Sequence, residues 1–384
     1  MRDIHCKILD SINKITIKEW DSIFGDLPEG YQFYKTLEES RLEGFHFYYL
    51  VIYDQQVILL IAPLFITDFN LDIAAEGFIE KIIRHIRKYF PRFLILKTLF
   101  CGSPFTEHGV LGIRNPVDNN LGGPMTRSKV FGMMVDEIYR FCRKEHISLI
   151  VFKDFLKEDT CFLDNLKLNG FFRVNSFPSV ANELNFDSFE GYLSSLSSPT
   201  RKNLRRKIKN AYSQALISVE IIDDCRDIVD DIIRLYENTY HSGAIQFEKL
   251  TRSFFINIGN NLKPNAKFFL YYVNRKLAAF NLCFAYRDLL IDKFIGFDYD
   301  LSKRYNLYFI SWAFNIDWCI KNSVRYYHTG QTDYRPKLQL GGKLIPLYAY
   351  LRYKNRLVNL VLKLIARFLS PENFDGQIRD NIND

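Results

Sequence analysis

Lys267-Phe-Phe-Leu-Tyr-Tyr-Val273 runs into Asn274-Arg275-Lys276, and Leu277-Ala-Ala-Phe-Asn-Leu-Cys-Phe-Ala-Tyr286 returns from it. Two apolar, aromatic-rich runs around a short polar turn read as a β-hairpin. The same design stands earlier in the chain, where Phe47 to Tyr53 leads into Asp54-Gln55-Gln56 and Val57 to Thr67 returns. The likeness continues downstream of both hairpins. After the first come a strand-like run from Phe93 to Phe100 and a helix over about 128–144, with Val130, Met134, Ile138 and Phe141 at helical spacing. An apolar strand, Leu149-Ile-Val-Phe152, closes this part. After the second come a strand from Leu289 to Phe294 and a helix over about 305–321, with Tyr305, Phe309, Trp312, Ile316 and Ile320 on one face. Val324 to His328 then reads as a strand. Hairpin, strand, helix, strand in the same order twice predicts an internal duplication of one α/β unit, with a period too long for a solenoid.

A chain of 384 residues fits two such units. The sequence divides them at the polar stretch near 186, giving lobes over 1–186 and 187–370 and a polar, disordered tail over 371–384. Aromatic residues make up 16% of the chain, enough to fill a large core or to line an elongated apolar groove. Lys plus Arg number 51 and Asp plus Glu 44, a net charge of +7. So mild an excess does not point to nucleic acid by itself, and it suits a phosphate-bearing ligand or an anionic membrane. The seven cysteines form no CxxC pair and read as free thiols in a reducing compartment. Met1-Arg-Asp-Ile-His5 has no signal-peptide core, and no apolar run reaches the roughly 18 residues of a membrane span. These features predict a cytoplasmic protein.

Between the lobes, Asp187 and Glu190 have capping-box spacing for a helix through Leu196. Ser198-Pro199 restarts a helix with Ser as N-cap. In it Leu204, Ile208, Ala211 and Ala215 form an apolar stripe, and Arg201, Lys202, Arg205, Arg206, Lys207 and Lys209 fill the other faces. The run reads either as a solvated face or as an anion site. Crowded cations repel, and the first turns of a helix favour anions, so a bound phosphate would relieve both. Another helix, over about 226–240, is closed by Gly243 and followed by His241, which complements the negative helix end more simply than it serves as a base. The apolar-basic segment 357–369 reads as a helix buried against the second lobe, with a membrane surface as its alternative.

Metal, Walker and nucleotide-loop signatures are missing, as are Gly-x-Ser-x-Gly and His-Glu-x-x-His. No metal site is expected. The chemistry-bearing segment is Thr329-Gly330-Gln331-Thr332-Asp333-Tyr334-Arg335-Pro336-Lys337, ending at Gly341-Gly342. It follows a strand, so it is placed at the carboxyl edge of a sheet, where α/β folds bind ligands. The plain alternative is a polar loop rich in turn formers. Lys293-Phe-Ile-Gly296-Phe-Asp298 ends a neighbouring strand, and Lys303-Arg304-Tyr305-Asn306 opens the next helix, a junction that offers backbone N–H groups to an anion or is simply a helix cap.

Three stretches together resemble the acyl-CoA N-acyltransferase (GNAT) superfamily and, within it, the two-lobed Fem-like acyltransferases. They are Phe189-x-x-Tyr192-Leu-x-x-Leu196 leading into Arg201-x-x-x-Arg205-Arg206; the hairpin with Lys276-Leu-Ala-Ala-Phe280; and Tyr305-Asn306 through the helix to Gly330, Tyr334 and Lys337. The resemblance spans nearly the whole chain. It implies an α/β fold of mixed sheets, duplicated, with the active site in the second lobe, and transfer of an acyl group from an acyl-CoA thioester to an amine on a small molecule or peptide. Acetyl-CoA is one such donor. Fem-like relatives instead use aminoacyl-tRNA to extend cell-wall precursors, and a non-catalytic or peripherally membrane-associated protein with this fold is a third reading. On the resemblance, Lys337 or Tyr334 stabilises the oxyanion or leaving group, and Asp333 or Asp298 deprotonates the amine. Arg201, Arg205, Arg206, Lys303 and Asn306 hold donor phosphate, and Lys293, Gly330, Gln331 and Arg335 line the substrate cleft. Two departures stand out. Ser302-Lys-Arg-Tyr-Asn306 occupies the place of the glycine-rich pyrophosphate loop, and the family's Tyr-Lys pair is Tyr334-Arg335 here, with Lys337 two positions on.

Overall fold

The computed structural model describes residues 4–71, 84–114, 127–243, 247, 249–366 and 370–381. They form two compact units. The first comprises residues 1–38, 42–176 and 346–374, the second residues 39–41, 177–345 and 375–384.

In the first unit, β1 (Ile4–Leu9), β2 (His46–Asp54), β3 (Val57–Asn70) and β4 (Ile95–Cys101) follow one another antiparallel. Next in the sheet come β6 (Leu149–Leu156), β15 (Leu347–Tyr353) and β7 (Phe172–Asn175), while β5 (Gly112–Ile113) pairs with β3. β4 and β6 run parallel, so a crossover must join them. Helix α3 (Arg127–Lys144) is part of that connection and packs Val130, Phe131, Met134, Val135, Ile138 and Cys142 on the sheet. The smaller helices of this unit are α1 (Ile17–Phe24), α2 (Tyr31–Glu39) and α4 (Thr160–Leu163).

The second unit repeats the plan. Its sheet runs β9 (Ile217–Ile222), β10 (Ala266–Val273), β11 (Lys276–Tyr286), β12 (Leu289–Phe297), β13 (Tyr326–Gly330), β8 (Ser179–Glu183) and β14 (Lys343–Ile345). Position for position, four antiparallel strands, a parallel neighbour, an inserted strand and an edge strand occur in both sheets. The inserted strand is exchanged in each. β15, from late in the chain, lies between β6 and β7, and β8, three residues after β7, lies between β13 and β14. In place of a single division at 186, the chain passes between the units near 177, near 345 and near 374, besides the short excursion of residues 39–41.

The deciding hairpin closes as expected. Val273 faces Lys276, leaving Asn274 and Arg275 as a two-residue loop with φ of 48° and 67°, the pair of positive angles that matches strand twist. Helices α5 (Phe189–Ser195), α6 (Ser198–Gln214) and α10 (Leu307–Lys321) bury Tyr192, Leu204, Trp312 and Ile316 on one face of this sheet. Against the other face lie α7 (Val229–Ser242) and α8 (Arg252–Asn261), joined to it through the aromatic cluster Tyr236, Phe254, Phe255, Phe280 and Phe294. Gly296 is where α7 comes closest, since a Cβ there would lie 2.7 Å from the Leu235 carbonyl carbon.

Several local expectations shift. Ser188 caps α5 and Ser197 caps α6, one residue from Asp187 and Ser198 in each case. The helix expected over 305–321 is two, α9 (Tyr299–Tyr305) and α10, parted by Asn306 at φ 53°. The stretch beyond 370 is not simply a tail, because α13 (Gly376–Asn381) buries Ile378 against Val180 and Tyr334. Residues 382–384 lie outside the described residues. The segment expected to bury its apolar face against the second lobe forms α12 (Arg356–Ala366) within the first unit and buries none of its residues; its expected end, 367–369, is outside the described residues. Among the described residues no helix is long and apolar enough to cross a membrane.

Candidate active site

The second sheet forks. β12 and β13 are paired only from Leu289–Tyr326 to Ile291–His328. Beyond that β13 turns its ladder to β8, with a register shift between His328 and Gly330, and β12 is laddered to β11 alone. At the same level β12 carries a bulge. Leu282 faces Phe294 and Cys283 faces Asp292, so Lys293 is the extra residue of the bulge. A bulge re-aims the backbone and is common beside active sites. The first sheet has neither feature at β4, the counterpart of β12. β3 and β4 stay in register to Cys101, and β4 and β6 stay paired to Cys101–Phe152. Its mouth is occupied by residues 102–109, where the Gly109 N–H donates to the Asp154 carbonyl at 2.7 Å and a Cβ on Gly109 would overlap the Lys153 carbonyl.

A buried polar chain runs to the fork. Tyr271 donates its hydroxyl to Asn315 Oδ1 at 2.5 Å, and Asn315 Nδ2 donates to the Tyr327 hydroxyl at 3.0 Å. Tyr327 in turn donates to Asp292 Oδ2 at 2.9 Å. Asn281 Nδ2 reaches both Asp292 oxygens, at 2.9 and 2.7 Å. A carboxylate in an apolar strand needs such partners, since burying it without them is costly. Burial, reinforced by Asp292, pushes the Tyr327 hydroxyl and the Cys283 thiol well above their ordinary values. Both stay protonated at neutral pH, and Cys283 is no nucleophile.

Tyr308 on α10 adds a group that the sequence did not single out. Its hydroxyl is buried and has no hydrogen-bond partner among the described residues. Burial raises its pKa first, with Asp333 and Asp292 adding to the rise. A phenol held near two carboxylates and left unpaired is suited to donate to an incoming ligand. Tyr308→Phe removes an unsatisfied polar atom, so the folded protein should be unchanged or about 1 kcal/mol more stable in urea denaturation. Turnover in the same variant should fall. Unchanged turnover would place Tyr308 outside the site.

The expected 329–341 loop is largely regular. Strand β13 extends to Gly330, Thr332 and Asp333 adopt positive φ, and α11 (Tyr334–Gln339) follows. Lys337 is buried, with Nζ donating to the carbonyls of Thr329 (2.6 Å), Gly330 (3.3 Å) and Gln331 (3.0 Å). A lysine has three N–H donors, and these three contacts occupy them. Tyr334 is buried and donates to the Pro178 carbonyl at 2.9 Å, while the Gln331 amide donates to that of Phe177. Asp333 and Arg335 are exposed. Lys337, Gly330 and Gln331 are thus brought together as a clasp on the chain reversal.

The remaining expected residues are dispersed. Asp298 caps α9, accepting from the Leu301 N–H at 3.2 Å, and pairs with Lys276 at 3.0 Å. Burial raises its carboxyl, but the Lys276 and Leu301 contacts outweigh that and hold it below its usual value. Lys303 is exposed on α9. Arg201 donates to the Ser194 and Leu196 carbonyls at 3.2 Å, closing α5. Arg205 pairs with Glu190, and Arg206 reaches Asn203 Oδ1 at 3.0 Å. Lys207 sits 3.0 Å over the Phe309 ring. A cavity of about 230 Å³, lined by Pro199, Thr200, Asn203, Phe309 and Gln339 among others, opens beside the start of α6.

A family model described as FemAB-like, peptidoglycan biosynthesis/recognition, matches residues 11–373. No curated protein matches the sequence. Among solved structures, FemX superposes with a TM-score of 0.56 at 11% identity, covering 93% of this chain and 100% of FemX. L-PGS from Bacillus licheniformis gives 0.51 at 10% identity, covering 89% of this chain and 96% of that one. A tandem GNAT protein from the clavulanic acid biosynthesis pathway gives 0.51 at 8% identity, over 92% and 99%. At such identities the likeness is one of fold: two lobes of mixed α/β sheet.

Proposed function

This chain belongs to the FemAB-like family, and from that membership and the forked sheet of its second unit we propose that it transfers an acyl group from an activated ester to an amine. The observation that carries the reading is the coincidence of fork and bulge. Where β12 loses β13, the bulge at Lys293 re-aims the backbone of β12, and a backbone N–H of this stretch would meet the oxygen that becomes negative as the amine adds to the carbonyl. The new C–N bond forms, the C–O bond to the carrier breaks, and the amine proton is taken by a base and returned to the carrier oxygen, which leaves as a hydroxyl. Asp333 is the better base of the two expected carboxylates, because it is exposed at the start of α11 while Asp298 is held ionised by Lys276 and the α9 N-terminus. Lys337 acts through the backbone that it clasps.

Of the two donors, an aminoacyl-tRNA ester fits better than acyl-CoA. A pyrophosphate would need the free N–H groups at the start of α9, and the Asp298 carboxylate already occupies that end with negative charge. The family description points to a peptidoglycan precursor as the source of the amine. The test offers the purified protein labelled aminoacyl-tRNA or labelled acetyl-CoA, each with an amine-bearing cell-wall peptide. Label should pass from the tRNA ester to the peptide and not from acetyl-CoA. Transfer from acetyl-CoA would keep the chemistry and replace the donor. Transfer from neither, to any of a panel of amines, would reject the reading.

A further inference from the structure

Helix α12 is amphipathic in the wrong sense for a packed helix. Leu357 is 75% exposed, Leu360 54%, Val361 52%, Leu364 52%, Ile365 44% and Val358 41%. These six share one arc of the helix at 100° per residue. The opposite side is fastened to the first unit through Asn359, whose Oδ1 accepts from the Tyr353 N–H at 2.7 Å and whose Nδ2 donates to the Gly170 carbonyl at 3.0 Å. The helix is therefore held with its apolar face outward. Scattered exposed aliphatics are ordinary, but six contiguous ones mark a contact surface.

Charge says what the contact is. From Arg352 to Ala366 the chain holds Arg352, Lys354, Arg356 and Lys363 and no acidic residue. Lys354, Arg356 and Lys363 are exposed. Arg356 and Lys363 border the apolar arc on one side, where long basic side chains can reach outward while aliphatic neighbours sink. Beside the helix opens a cavity of about 480 Å³, lined in part by Lys363, Lys167, Arg173 and Asn175. Lys167 and Arg173 there share Asp164, at 2.8 and 3.2 Å.

We propose that α12 docks the protein on an anionic membrane surface, its aliphatic arc lying among the acyl chains and its cations among the phosphates. An apolar face flanked only by cations is complementary to that surface, whereas a second copy of the same helix would bring like charges together. The inference stands independently of the transfer chemistry, because it uses none of the second-unit residues.

Flotation of the full-length protein with vesicles tests it. Vesicles of equal parts phosphatidylglycerol and phosphatidylcholine should carry the protein up at low salt at least about tenfold better than phosphatidylcholine alone. The double variant Leu360→Glu, Leu364→Glu should lose that binding by a similar factor with an unchanged melting temperature, because both side chains are already exposed. Lys363→Glu should weaken binding several-fold and flatten its dependence on salt, and it decides the question if the double variant does not fold. Failure to bind anionic vesicles, or equal binding by wild type and Lys363→Glu, would overturn the proposal. So would a concentration-dependent dimer that Lys363→Glu leaves intact and Leu364→Glu dissolves, since the occupant would then be a second copy.

Discussion

Lys293→Pro is expected to lower turnover about a hundredfold, the usual loss when one oxyanion donor is removed. Lys293 is the extra residue of the β12 bulge, and a bulge is among the few places in a sheet that tolerate proline. The substitution removes the N–H and leaves Asp292 and Phe294 on their neighbours. Lys293→Ala keeps the N–H and removes the ammonium, so it separates the two contributions. Single-turnover rates with donor and acceptor in excess should fall for Pro and stay within a few-fold of wild type for Ala. Equal losses in both would assign the effect to the side chain. A proline variant as active as wild type would place the oxyanion elsewhere.

Lys337→Met should cost both stability and rate. Its ammonium joins three successive carbonyls, those of Thr329, Gly330 and Gln331, at the point where β13 leaves β12. Hydrogen bonds to a charged group contribute more than neutral ones, and the three carbonyls would lose their partner together. A loss of about 3 kcal/mol in urea denaturation is expected. The fork would lose its fixed backbone, and turnover should drop by a similar order to that for Lys293→Pro. Arg335→Met, on an exposed neighbour, should do little to either. A large fall in rate without any loss of stability would mean that the ammonium leaves its carbonyls to meet the substrate.

The duplication was legible because it is written in period and order. Alternating apolar runs, a polar turn and a helical stripe are local features, and they recur in the same succession around Phe47 and around Lys267. What could not be read is set by pairing. Nothing in Ser179–Glu183 or Leu347–Tyr353 says which sheet each strand enters, because both would present an alternating face to either. The partners of the basic run on α6 were hidden for a related reason: Arg201, Arg205 and Arg206 reach the α5 carbonyls, Glu190 and Asn203, contacts that only folding reveals. In the site, the αL turn at Asn306 had a local signal, since asparagine tolerates positive φ. So did Asp292, a carboxylate inside Leu289–Phe297, although Asn281 and Tyr327 reach it from two other strands and Asn315 joins the chain only through Tyr327.

The exchanged strands bear on how the chain is made. Synthesis is vectorial, and β6 and β7 emerge when the residue destined to lie between them is still more than a hundred positions from being added. Until Leu347–Tyr353 leaves the ribosome, β6 keeps an open edge and β7 has no neighbour at all. β8 can join β13 and β14 as soon as those strands appear, so the later half of the chain is the first able to complete its sheet. The nascent protein therefore carries an unpaired strand edge, a template for aggregation, while residues 176–346 are being added.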